Sequence, residues 1–392
     1  MKSTPYRKAQ ARPSIAGLFW AFLRLGLTAF GGPAMVAYIR RMAVEKKKWL
    51  DEASFRDGVA LCQAIPGATA MQTSAYVGLK VRGLPGAAAS FVGFGLPAFT
   101  IMMILSSLYV RGRALPLVAA VFAGLGAIVV AIVANAAAIF GAKTIINWQS
   151  LVIALAAAVL FGFGVSPLIV ILLAALMGFA LLKASLPSPA PRPASVRLRS
   201  SKPFIKLVLA SAGVIMLLFF TNPRLFKLAG LMLRIDLLAF GGGFASVPIM
   251  FHEIVDVRSW LDGPTLLDGI ALGQITPGPI VITATFIGYL LYGPVGGIVA
   301  TLSVFLPSFL IVVGIAPYYD RLRTSGSFQK AMGGIFCSFV GLLLSVTLRF
   351  AMNVSWDLAR VLLAAAALIA LRLKVNVVWV VLVGTIISVF VL

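Results

Sequence analysis

Apolar runs recur along the whole chain, separated by short polar stretches. They fall near 15–39, 57–80, 84–109, 114–140, 148–164 and 166–183, then near 204–221, 226–250, 267–292, 294–318, 329–350, 355–371 and 374–391. A run of about twenty apolar residues crosses ~30 Å of hydrocarbon as a helix, and only closed hydrogen-bonding structures are tolerated there. The pattern predicts an all-α polytopic membrane protein. One polar stretch differs from the loops: 185–203 is rich in Pro, Ser and Arg and reads as an extended linker.

The runs pair off because the sequence repeats. Leu23-Arg24 matches Leu233-Arg234, Phe30-Gly31-Gly32 matches Phe240-Gly241-Gly242, and Trp49-Leu50-Asp51 matches Trp260-Leu261-Asp262. Gln63, Pro66 and Gly67 match Gln274, Pro277 and Gly278; Leu96-Pro97 and Phe99 match Leu306-Pro307 and Phe309. The offset stays at 210 or 211, so one unit has been duplicated. The predicted organisation is a first repeat at 1–184, the linker at 185–203, a linking transmembrane helix at 204–221 and a second repeat at 222–392.

One extra crossing between the repeats turns the second upside down, and the charges agree. The stretch 40–57 carries Arg40, Arg41, Lys46, Lys47, Lys48 and Arg56, whereas its counterpart 252–268 carries Arg258 alone among Glu253, Asp256, Asp262 and Asp268. Equivalent loops with opposite Lys/Arg content belong on opposite faces of a membrane. The predicted architecture is therefore two inverted homologous repeats. The Gly/Pro breaks at Gly31-Gly32-Pro33, Pro66-Gly67, Gly241-Gly242-Gly243 and Pro277-Gly278 interrupt the helical ladder. They predict broken or re-entrant helices near the midplane, which also keeps 40–57 on the side of the basic N-terminus.

Composition narrows the class. The chain is 61% hydrophobic and 11% charged, with mean hydropathy +1.04. Its net charge of +22 sits in loops and at segment ends, the distribution of an orientation signal and not of a nucleic-acid surface. Lys2 to Arg12 followed by an apolar run resembles a signal peptide, but the run continues past Arg24 and shows no cleavage site. It reads as an uncleaved membrane segment with a cytoplasmic N-terminus. Cys62 and Cys337 lie apart in apolar runs and His252 is the single histidine, so no metal centre is expected. No cofactor motif, P-loop or hydrolase signature is present, and the chain does not read as an enzyme.

The candidate chemistry lies at the breaks. A helix restarting after a break presents unpaired N–H groups and about half a positive charge. Such ends converging near the midplane make an anion site from backbone alone. The predicted substrate-binding set is Gly31, Gly32, Pro33, Pro66, Gly67, Gly241, Gly242, Pro277 and Gly278, with Arg24 and Arg234 as intramembrane cations and Gln63 and Gln274 as neutral donors. Asp57 and Asp268 read as helix N-caps, with a proton relay as the alternative, and His252 as a surface residue in a loop.

The paired Phe-Gly-Gly segments, the Gln-x-x-Pro-Gly breaks and the duplication resemble the chromate transporter family in its two-domain form, over nearly the whole chain. The resemblance implies a multi-pass protein of a bacterial plasma membrane that exports chromate and confers resistance. Its partners would be chromate or a related oxyanion and the lipid bilayer, with no nucleic acid; association into a homodimer is compatible with the sequence and not fixed by it. A sulfate or other oxyanion carrier is the alternative within the class. An integral membrane enzyme is the alternative outside it, and lacks a duplicated polar cluster. A scaffold leaves the duplicated breaks unexplained.

Overall fold

The structure is a computed structural model that describes residues 13–30, 34–112, 115–183, 202–319 and 324–391. Among these residues it is built of helices. In the first repeat they are α1 (Ile15–Thr28), α2 (Ala34–Arg40), α3 (Glu52–Ala64), α4 (Thr69–Gly112), α5 (Pro116–Thr144), α6 (Trp148–Gly162) and α7 (Pro167–Leu181). Helix α8 (Lys202–Thr221) links the repeats. The second repeat holds α9 (Pro223–Leu238), α10 (Ser246–Phe251), α11 (Gly263–Ile275), α12 (Thr283–Ile315), α13 (Gly326–Met352), α14 (Leu358–Arg372) and α15 (Val377–Val391).

The repeat in sequence returns as a repeat in backbone geometry. A π-helical turn follows α2 at Arg41–Lys46 and another follows α10 at His252–Val257. Each is closed by a residue with positive φ, Lys48 at 51° and Ser259 at 49°. Helices α4 and α12 both double back at a kink: Gly83 has φ 65°, ψ −154° and Gly293 has φ 62°, ψ −155°. That conformation is almost confined to glycine.

Neighbouring arms run antiparallel across each break. Tyr76, beyond the break at Pro66-Gly67, packs on Gly58 before it, and its hydroxyl donates to Ser54 O at 3.3 Å. In the second repeat Phe286 packs on Gly269 in the same way. These pairs lie at the far ends of two arms, so the chain has turned back on itself. The first segment folds back too: Phe22 stacks on Trp49 at 6.4 Å, although a straight helix would separate them by ~40 Å. Arg234 reaches Glu253 at 3.2 Å, which closes the equivalent hairpin of the second repeat. In all four broken segments the described arms fold back on one another, the hairpin form that a re-entrant segment requires.

Among the described residues, five helical stretches are long and apolar enough to cross a membrane, within α4, α5, α8, α12 and α13. Helices α6, α7, α14 and α15 have 15 residues each, or ~22 Å, and form two short hairpins. They are exchanged between halves. Helices α6 and α7 pack on α13, where Gly178 and Gly334 meet backbone to backbone, while α14 and α15 pack on α5, where Gly124 meets Ser388. Small residues allow such close crossings, which compensate for the weak hydrophobic drive between helices in lipid.

The long arms of α4 and α12 cross at the centre and run in opposite directions. Phe91 meets Phe309 at 5.0 Å, while further along α4 Met103 meets Gly297, earlier on α12. Equivalent helices thus point opposite ways, and the repeats are inverted. Helix α8 buries none of its side chains and touches α9 and α12. Being apolar all round, it suits lipid contact, and its single crossing supplies the inversion.

Candidate functional site

Three of the four breaks meet at the centre. The Gly67 N–H donates to Ala239 O at 2.9 Å, joining the second break to the third. Gly242 faces Thr69, the first residue of α4, and Gly243 faces Ile280, just after the fourth break. The crossing arms close over them: Gly67 abuts Ser308 of α12, and Gly278 abuts Ala98 of α4. Ala98 and Ser308 are equivalent positions, so this packing obeys the internal twofold relation. Gly67, Ala68, Gly242, Pro277 and Gly278 are all buried, which leaves the centre occluded. Gly31, Gly32 and Pro33 lie outside the described residues.

Glycine is required here for space and for φ. Gly67 has φ 116° and Gly278 φ 136°, and a Cβ on Gly67 would stand 2.1 Å from Ser308 Oγ. The turns are tied down by side chains. Ser308 Oγ accepts from Ala68 N–H at 3.0 Å, and Gln72 Nε2 donates to Pro66 O at 2.5 Å. Helix α4 restarts beside this point, and the first-turn amides of a restarting helix have no intrahelical acceptor; α10 instead continues a 3-10 turn in which Ala245 N–H donates to Gly242 O at 3.0 Å.

One carboxylate enters the centre, and the sequence reading missed it. Asp236 of α9 is fully buried, and its Oδ2 accepts from Ser308 N–H and Ser308 Oγ, both at 2.8 Å. It does not pair with Arg234, as the two-residue spacing implies. Its counterpart in the first repeat is Gly26, whose missing side chain makes room for Phe94 O and Pro97 of α4. The polar pair Asp236–Ser308 therefore replaces an apolar pair, Gly26–Ala98. An acid inside the apolar run 226–250, and this asymmetry between matched positions, were the signals that could have found it.

The two intramembrane arginines differ. Arg234 is partly buried, 3.2 Å from Glu253 and 3.4 Å from Ser166 Oγ; Glu253 also binds Arg258. Arg24 is exposed on α1, and Met42 occupies the place that Glu253 holds in the other half. Arg234 lines a cavity of about 520 Å³ with Lys227, Gly230, Leu231, Arg258 and Trp260. Three cations against one buried acid make this vestibule electropositive. A second cavity, about 330 Å³, is lined by Tyr109, Phe122, Pro264, Asp268, Asn353 and Arg360 among others.

Several candidates sit elsewhere than expected. The N-caps are Asp51 and Asp262, which accept from Ser54 N–H and Thr265 N–H at 2.8 Å, not Asp57 and Asp268. Asp268 instead accepts from Tyr109 Oη at 2.7 Å. His252 is not on the surface: it is 5% exposed, lies 3.6 Å from Asp256 and packs against Phe161. Gln63 is exposed, whereas Gln274 is partly buried with Nε2 lacking a partner. Cys62 and Cys337 are buried and free.

A model of the chromate transporter family matches residues 16–179 and 226–389, one match on each repeat. The chain belongs to the chromate transporter family. It is 43% identical over 385 residues to an uncharacterized transporter of Methanocaldococcus jannaschii, covering 97% of this chain and 95% of that one. It is 32% identical over 358 residues to a chromate transport protein of Cupriavidus metallidurans, covering 90% and 86%. It is 31% identical over 361 residues to a probable chromate transport protein of Synechococcus elongatus, covering 91% and 90%. No solved structure matches it. In this family member the two matched stretches are the two inverted halves, and the breaks of both supply the centre of the transporter.

Proposed function

We propose that the chain is a secondary transporter that carries chromate out of the cytoplasm, binding it at the converged breaks. The observation that carries this reading is the convergence itself: Gly67, Gly242 and Gly278 come from opposed halves and meet in a buried core. A desolvated tetrahedral dianion needs several donors around it, and restarting helices offer backbone N–H groups without bringing any acid. Arg234 and the vestibule then hold the anion on its way. If the basic 40–57 loop is cytoplasmic, the vestibule opens on the far face, where the anion leaves. Membrane potential favours that direction by roughly 4–5 kcal/mol per 100 mV for two charges, so ATP is not required. The twofold relation of the packed breaks supports alternating access by movement of one half against the other.

Chromate uptake into everted vesicles, with and without a pH gradient, tests the reading. Voltage-driven uptake is expected; vesicles that take up no chromate would refute it. A second reading within the same class is a carrier of sulfate or another oxyanion, because the site rests on backbone donors. Backbone donors discriminate poorly between anions of equal shape and charge. Equal competition by sulfate would establish the broader carrier.

A further inference from the structure

We propose that Asp236 is a proton-binding site whose occupancy is coupled to the oxyanion bound at the breaks, so that proton and anion travel together. The inference rests on the anion-binding reading above and deepens it.

Asp236 is 0% exposed. One carboxyl oxygen accepts both donors of Ser308, and the other, Oδ1, has no partner. Gln72 is also 0% exposed, and its Oε1 is unpartnered while its Nε2 holds Pro66 O. Gln72 and Ser308, the partner of Asp236, frame the same turn: a Cβ on Gly67 would meet Ser308 Oγ and Gln72 Nε2. Two buried acceptor oxygens without a protein partner, one on each side of this contact, call for a further donor, because a buried unpaired acceptor is costly.

The groups packed on Asp236 are neutral. From α12 it faces Ser308, and beyond Ser308 stands Ala68 of the second break. On its own helix Arg234 is turned to Glu253. Among the described residues no charged side chain compensates it. An ionised Asp236 would thus be an isolated buried charge, the arrangement proteins avoid by binding a proton. A hard metal cation would need about six oxygens, and among the described side chains at this turn only Asp236 Oδ1 and Gln72 Oε1 are uncommitted.

The location couples the proton to the anion. An ionised carboxylate beside the breaks repels a dianion; a protonated one does not, and gains an O–H. Binding of either therefore favours the other, and linkage makes the effect reciprocal. The coupling resides in one half only, because the twin of Asp236 is Gly26 and the twin of Ser308 is Ala98. Each cycle moves one proton with each dianion, and the net charge carried falls from two to one.

The test is equilibrium binding of radiolabelled sulfate, a dianion throughout the range, to the purified full chain in detergent over about three pH units around neutrality. The wild-type dissociation constant is expected to fall as pH is lowered, by up to about tenfold per unit through the titrating range, one proton per anion. In Asp236→Asn, binding should stay at the acid-limit value at every pH, and a carboxylic-acid band in the infrared difference spectrum should vanish. Ser308→Ala keeps the carboxylate and removes one donor, so it should retain the one-proton dependence with a displaced midpoint; it serves where Asp236→Asn fails to fold. Binding that is measurable but flat with pH in the wild type, or unchanged in its pH dependence in Asp236→Asn, overturns the proposal. So does a requirement for sodium in place of acid. Absence of sulfate and chromate binding at every pH refutes the anion site itself, a different failure.

Discussion

At the scale of single residues, charge balance in the vestibule is the sharpest feature. Glu253 is buried between Arg234 and Arg258 and neutralises part of their charge. Substituting Glu253→Gln leaves two guanidinium groups facing the cavity without an acid, whereas Arg234→Gln removes one cation and strands the acid with Arg258. Oxyanion affinity at low ionic strength should rise several-fold in the first variant and fall about tenfold in the second, on the order of 1.4 kcal/mol. Both effects should shrink as salt is added, because exposed charges are screened within ~10 Å at 0.1 M. Transport kinetics at two salt concentrations check this; identical responses of the two variants would remove the vestibule from the path. Little of this balance was legible in the chain. The matched arginines announced themselves by lying in apolar runs, but Glu253 sits where the other half has Met42, and no local spacing links it to Arg234. Asp236 carried the same signal by lying in the apolar run 226–250, but its partner Ser308 is 72 residues away and no local spacing points to it.

At the scale of elements, the breaks and kinks were readable because glycine and proline act through their own backbone. Gly293 shows the limiting case. Its φ of 62° and ψ of −155° lie in a region of almost pure glycine, and a Cβ placed there meets nothing within 4 Å. Gly293→Ala should therefore cost ~1–3 kcal/mol through conformation alone, and Gly293→Asn should do no better, since the position is not left-handed helical. A lowered thermal midpoint in detergent, with unchanged substrate affinity, is the expected result. The helix starts were less legible. Asp57 and Asp268 stand beside glycines and look like caps, yet the repeated Trp-Leu-Asp places the caps at Asp51 and Asp262. The Ser54 N–H bond holds the Asp51 carboxyl below the ordinary carboxylate range. A lowered native pKa gives stability that is present above the unfolded value near 4 and lost as pH falls through the native one. Asp51→Ala should accordingly cost about 1 kcal/mol at neutral pH, with the difference from wild type vanishing in acid.

At the scale of the whole molecule, duplication and inversion constrain one another. Two copies of one unit can share a central site only if their breaks reach the same depth, and opposed copies bring equivalent surfaces face to face. The antiparallel crossing of α4 and α12 does this, pairing Gly67 with Ser308 and Gly278 with Ala98. The exchange of short hairpins, α6 and α7 onto α13 and α14 and α15 onto α5, was not legible, because apolar helices of equal length carry no address in their sequence. Inversion was legible through the extra crossing at 204–221 and through the Lys and Arg of 40–57, of which 252–268 keeps Arg258 alone. That argument makes a prediction of its own. Val44 and Val255 occupy matching places in the two π-helical turns, both partly exposed, and the native cysteines are buried. Val44→Cys should react with a membrane-impermeant maleimide in everted vesicles only, and Val255→Cys in intact cells or right-side-out vesicles only. Labelling of both from one side would contradict the opposed halves, and with them a site shared between equivalent breaks. Labelling from opposite sides would place the electropositive vestibule, which lies beside Arg258 and Trp260, on the face away from the cytoplasm, where an exported anion is released.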